Sequence, residues 1–110
     1  MIDWTRVEAL RDEIGPEYFA EVAELFLMEV EDTLSRLTGA ENDSQAMRDL
    51  MHFLKGSALN LGFSQLAETC SAAEIAAAQG RTDANMPCLK SIYEQSRLLF
   101  EAEFAQRFAA

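Results

Sequence analysis

Met47-Arg48-Asp49-Leu50-Met51-His52-Phe53-Leu54-Lys55-Gly56-Ser57-Ala58-Leu59-Asn60-Leu61-Gly62 is the stretch whose periodicity decides the fold. At about 100° per residue, Met47, Leu50, Met51, Leu54, Ala58 and Leu61 gather within a sector of roughly 100°. They form one apolar stripe that must face a core. Asp43 or Ser44 is placed to cap the start of this helix and Gly62 to end it. On the same wheel His52, the only histidine of the chain, lies about 140° from the middle of the stripe. It is therefore predicted to point outward.

The flanking sequence continues in the same idiom. Upstream, Phe19, Val22, Phe26, Val30, Leu34 and Leu37 recur at spacings of three and four, which predicts a helix from about Pro16 to Leu37. Tyr18, Leu25, Leu27 and Met28 are an apolar excess beside that stripe, to be covered by the preceding helix or left as a docking surface around His52. That preceding helix is short, roughly Trp4 to Glu13, and closes at Gly15-Pro16, where Gly15 suits a helix end and Pro16 the first turn of the next. Thr38 to Asp43 is a loop rich in turn formers. Downstream, Ser64 is a candidate cap for a helix running to Gln79 and closed by Gly80. A loop from Gly80 to Asn85 then leads to a last helix with Pro87 in its first turn, ending near Phe108.

No strand pattern, internal repeat or low-complexity tract interrupts this series. The expected fold is all-α: an antiparallel up-down four-helix bundle, with the short extra N-terminal helix packed across one end. Residues 1–110 are expected to form a single domain.

Composition narrows the function. A formal net charge of −10 argues against nucleic acid or an anionic membrane as partner. No basic segment followed by an apolar run opens the chain, and no apolar stretch approaches the length of a membrane span. The expected address is the cytoplasm. Cys70 and Cys88 stand in no paired pattern and read as reduced thiols, at least one of them buried. A single histidine without clustered cysteines or carboxylates makes no metal site.

The face around His52 is unlike a plain solvated one. Gly56, one turn on, replaces a better helix former at a cost of about 1 kcal/mol relative to alanine. Clearance for a group on His52 and for an approaching partner supplies the reason. Lys55, at i+3, can pair with an anion on the imidazole through a charge-assisted hydrogen bond. Phe53 and Leu59 lie off the core sector and give the face an apolar component suited to docking a protein. Arg48, one turn before His52, can help receive an acidic partner, although an ordinary solvated surface arginine is the commoner reading of such a residue. A neutral imidazole presents one nitrogen as a nucleophile. Its phosphorylation gives a phosphoramidate, which transfers readily to a carboxylate and back. Such chemistry needs positioning and charge stabilisation more than acid–base machinery.

With these residues in place, His52-Phe53-Leu54-Lys55-Gly56-Ser57 through Gly62 resembles the His-x-x-Lys-Gly-Ser-x-x-x-x-Gly signature of the histidine-containing phosphotransfer (HPt) domain family, and Leu66 and Cys70 continue a family-like pattern. The resemblance covers the bundle from about the second helix onward. It implies that His52 accepts a phosphoryl group, that Lys55 neighbours that group and that Gly56 clears space for it. Members often carry a Glu or Gln on the following helix that bonds the non-reacting imidazole nitrogen, and Glu74 falls at that place. Ala58 stands where many members have a second serine, and Phe63 where a small apolar residue is usual.

By this resemblance the chain is a phosphoryl carrier in a two-component phosphorelay and not an independent enzyme. Its partners are response-regulator receiver domains and a hybrid histidine kinase. It needs no cofactor of its own, Mg²⁺ being supplied by the receiver. A stand-alone monomer is expected. The competing reading is a helical-bundle scaffold that binds a signalling partner and is never phosphorylated; the intact His52, Lys55 and Gly56 set weighs against it. A kinase or a metal hydrolase lacks its phosphate loop or its ligands, and a purely structural bundle leaves Gly56 without a reason.

Overall fold

The computed structural model describes residues 1–82 and 86–108. Five α-helices follow one another: α1 Trp4–Ile14, α2 Pro16–Leu37, α3 Ser44–Leu61, α4 Ser64–Ala78 and α5 Met86–Arg107, with a single 3₁₀ turn, Thr38–Ala40, after α2. Residues 83–85, within the loop expected from Gly80 to Asn85, lie outside the described residues, as do 109–110.

Local chemistry sets the ends. The Asp3 carboxylate accepts from the Arg6 amide at 3.3 Å and caps α1. Asp43 does the same for α3 through the Ala46 amide at 3.0 Å. Pro16 stands at the first position of α2, where its missing N–H costs nothing. At the end of α3, Gly62 is left-handed with φ 76°; its amide bonds the Leu59 carbonyl at 3.2 Å and the Phe63 amide bonds that of Ala58 at 2.8 Å. These two bonds form a Schellman motif, which reverses the chain directly into α4.

Ser64 does not cap α4. Phe63 holds the capping position with no side-chain bond, and the Ser64 hydroxyl donates instead to the Met1 carbonyl at 3.0 Å. The reason is the extended N-terminus, which runs against this turn: the Asp3 amide bonds the Gly62 carbonyl at 2.7 Å and the Ser64 amide bonds Met1 at 3.1 Å. A tether of main-chain bonds thus occupies the turn between α3 and α4.

The four long helices form an antiparallel bundle measuring 48 × 21 × 20 Å. Its axis is filled by Phe19, Leu27, Val30, Met51, Leu54 and Leu66, among others. Toward the end that holds the α3–α4 turn the core becomes aromatic. Phe63 meets Phe100 edge-on at 5.7 Å, Phe19 stacks on Phe104 at 5.3 Å, and Trp4 stacks on Phe100 at 5.9 Å. Trp4 also donates its indole N–H to Glu103 at 2.9 Å. These contacts draw α1 across this end of the bundle, as the pattern anticipates. Phe63 is fully buried there.

Two stripe assignments shift. On α2, Val22 and Phe26 are only half-buried, and Ala23, Leu27 and Thr33 share the interior with Phe19, Val30, Leu34 and Leu37. The helix meets both α3 and α5, and the Leu27 carbonyl faces the Tyr93 hydroxyl of α5 at 3.4 Å, so its buried arc is rotated from the one read as a single stripe. On α3, Leu50 is half-buried while Ser57 goes inside. Tyr18, Leu25 and Met28 are not covered by α1 and remain exposed.

A Cβ built on Gly62 would lie 2.6 Å from the Asp3 carbonyl oxygen and 3.0 Å from Val7 Cγ2, at a φ that side chains rarely adopt. Gly62→Ala is therefore expected to destabilise the fold by about 2 kcal/mol. Urea unfolding would measure this; a loss below ~0.5 kcal/mol would show that the tether and turn are not as described.

Candidate functional site

The Schellman turn aligns α3 and α4 so that His52 and Glu74, equally far along the chain from Phe63, face each other. His52 Nδ1 lies 2.9 Å from Glu74 Oε1, and Lys55 Nζ lies 2.9 Å from Glu74 Oε2. One carboxylate thus bridges the imidazole and the ammonium. The three side chains differ sharply in exposure: His52 is 70% open to solvent, Lys55 28% and Glu74 19%. The anchor is recessed and the imidazole stands proud of it.

The carboxylate decides the tautomer. Lys55, its strongest partner, holds the Glu74 carboxyl below the usual carboxylate range against an opposing effect of desolvation, and the bond to His52 lowers it further. Ionised at neutral pH, Glu74 can only accept hydrogen bonds. Nδ1 must then carry the proton and donate it to Oε1. In the neutral ring this leaves Nε2 with a free lone pair, on a side chain that faces solvent.

The remaining residues singled out in the sequence sit on the same outward face of α3. Phe53 and Leu59 are 50% and 53% exposed. A Cβ built on Gly56 meets nothing within 4 Å, so no neighbour within the protein requires a glycine there, and the clearance it gives is toward the outside. Arg48 lines a shallow depression with Gln45, Asp49, His52 and Glu74. The sequence patterns did not anticipate the recessed bond between Lys55 and Glu74, since a pairing between two helices leaves no local spacing to detect.

A second groove adjoins this face between α2 and α3, lined by Glu29, Asp32, Thr33, Arg36, Asp49, Leu50 and Phe53. Cys70 is buried in the core, and desolvation pushes its thiol up to about 12, so it is an inert packing residue. Cys88 is exposed. No helix among the described residues is long and apolar enough to cross a membrane.

Comparison with known proteins bears on the family and the fold. The Hpt domain family matches the chain over residues 21–107. Among solved structures, histidine-containing phosphotransfer protein B (HptB) from Pseudomonas aeruginosa PAO1 superposes with a TM-score of 0.84 at 28% sequence identity, over 97% of this chain and 96% of that one. A search of curated proteins returned no match.

Two outcomes test the site as drawn. Because Gly56 has open space around it, Gly56→Ala is expected to stabilise the protein by about 0.5–1 kcal/mol in chemical denaturation; destabilisation would mean that the glycine serves packing. Lys55→Met is expected to raise the Glu74 carboxyl toward the ordinary glutamate value, followed by the carboxyl ¹³C shift during a pH titration. With the native carboxyl depressed in the folded state, its contribution to stability is present above the unfolded glutamate value and is lost as pH falls through the lower folded one. The Lys55→Met protein should therefore show a weaker loss of stability in that window, and an unchanged titration would rule out the ion pair in solution.

Proposed function

The chain belongs to the Hpt domain family, and on that premise we propose that His52 is the residue through which it carries a phosphoryl group. Histidine phosphotransfer within a phosphorelay is its function. The single observation that supports His52 as the carrier is the bond from its Nδ1 to an ionised, recessed Glu74, which leaves Nε2 as the nucleophile on an exposed ring.

The step balances with few parts. A receiver domain bearing an aspartyl phosphate docks on the outward face of α3, where Phe53 and Leu59 supply apolar contact and Arg48 a basic edge. The Nε2 lone pair attacks phosphorus as the bond from phosphorus to the aspartyl oxygen breaks, and the aspartate leaves with that electron pair. The imidazole keeps its Nδ1 proton and gains positive charge, which the Glu74 carboxylate offsets at 2.9 Å. No proton has to be removed, which is why a bundle without a general base suffices. Attack by the aspartate of a second receiver reverses every change, and a hybrid histidine kinase can load or drain the same carrier.

In this reading Mg²⁺ belongs to the receiver, and the chain supplies no cofactor. It acts as a carrier without independent catalytic activity, as one domain and one monomer, in the cytoplasm. Gly56 leaves room on the face for the receiver's approach, and Lys55 keeps Glu74 ionised and in place.

Incubation with a panel of Mg²⁺-loaded, phosphorylated receiver domains tests the assignment. Acid-labile, base-stable label is expected on the native chain and is expected to fall to background in His52→Gln. Label surviving that substitution would remove His52 from the mechanism; absence of label on the folded native chain from every receiver would favour the scaffold reading.

A further inference from the structure

Nine lysines and arginines serve a chain with 19 carboxylate side chains, so an unengaged cation is scarce. Seven of the nine meet a carboxylate, a side-chain amide or an aromatic ring. Lys55, the cation that the family resemblance sets beside the phosphoryl group, is one of the seven. Its ammonium is bonded to the recessed Glu74, so one of its three donors and part of its charge are already engaged. Only Arg48 and Lys90 have no such partner among the described residues, and Lys90 lines a cavity between α2 and α5. Arg48 lies one turn before His52 on the same face of α3 and shares a shallow depression with it; Lys55 does not line that depression. The carboxylate nearest along the chain, Asp49, accepts from Gln45 at 2.9 Å and leaves the guanidinium unclaimed.

Resting on the reading of His52 as the carrier, we propose that Arg48 is the group that binds the phosphoryl oxygens of phosphorylated His52, while Lys55 serves to fix Glu74. A guanidinium presents paired N–H donors that match two phosphoryl oxygens at once, whereas an ammonium offers a point charge. An unpaired guanidinium also needs to break no existing bond when the dianion arrives. The two cations of the face thus divide the work: Lys55 holds the residue that orients the imidazole, and Arg48 holds what the imidazole carries.

Phosphoramidate, a small phosphodonor, loads histidine without any docking partner: Nε2 bonds to phosphorus as the bond from phosphorus to nitrogen breaks and ammonia leaves. The full chain is treated in this way as native protein, Arg48→Gln, Arg48→Lys, Lys55→Gln and His52→Gln, and the ³¹P resonance of the phosphohistidine is titrated with pH. A guanidinium on the phosphoryl oxygens favours the dianion, so Arg48→Gln is expected to move the second phosphoryl ionisation up by about one unit. Arg48→Lys is expected to fall between Arg48→Gln and native, and Lys55→Gln to move it less than Arg48→Gln. A shift in Lys55→Gln equal to or larger than that in Arg48→Gln would overturn the proposal, as would an unmoved Arg48→Gln titration. Both results leave His52 as the carrier. Absence of phosphohistidine on the native chain, or its persistence in His52→Gln, would overturn the carrier reading and this proposal with it. The Arg48 side chain is exposed on α3 and takes no part in the core, so unchanged circular dichroism is expected to accompany every outcome.

Discussion

Gly62 holds a left-handed conformation in which any β-carbon would run into the Asp3 carbonyl and the Val7 side chain. That crowding admits no Cβ, and the site depends on it. The turn places Phe63 at the very start of α4, buries its ring against Phe100, and sets the register in which α3 and α4 run side by side. His52 meets Glu74 because of this register. A turn of different length would rotate α4 relative to α3 by about 100° per added residue and carry the carboxylate away from the imidazole. The N-terminal tether, from Met1 to Ser64 and from Asp3 to Gly62, acts on the same turn, so residues remote in sequence from His52 contribute to its geometry through the backbone.

The fold was legible in the sequence where a single periodicity governed it. Helix α3 has one buried stripe and strong end signals, Asp43 or Ser44 at its start and Gly62 at its end, and the structure takes Asp43 as the cap. Helix α2 shows the limit. It is buried against two neighbours at once, and an arc wider than one stripe cannot be centred from spacing alone; Leu27 therefore looked like surplus while it lies in the core. The Ser64 cap failed for a different reason. A serine before an apolar run matches the capping pattern, yet the N-terminal segment claims its hydroxyl, and a contact across 63 residues leaves no trace in local sequence.

The candidate site divides along the same line. Residues of α3 were readable together because helical spacing fixes their relative directions, so the outward placement of His52, Phe53, Gly56 and Leu59 followed from the wheel. The carboxylate that orients the ring lies on another helix. Only resemblance to a family pointed to Glu74, and no spacing rule could pair it with Lys55 as well. Reading Lys55 by spacing alone assigns its charge to whatever His52 carries; with the ion pair in view, that charge is already committed.

The commitment matters for a carrier, whose chemistry must run both ways. An imidazole made too nucleophilic, or a phosphoryl group held too tightly, would trap the group on this chain. In the proposed transfer, Glu74 would offset the positive charge that forms on the ring, which favours loading. Lys55, by drawing on the same carboxylate, limits how much of that negative charge the ring can use. Exposure adds a second limit, because water competes for every bond made on a ring 70% open to solvent. On the proposed mechanism, the arrangement orients the nucleophile firmly through a recessed anchor while holding its product only moderately, and a reversible relay requires that pairing of properties from its carrier.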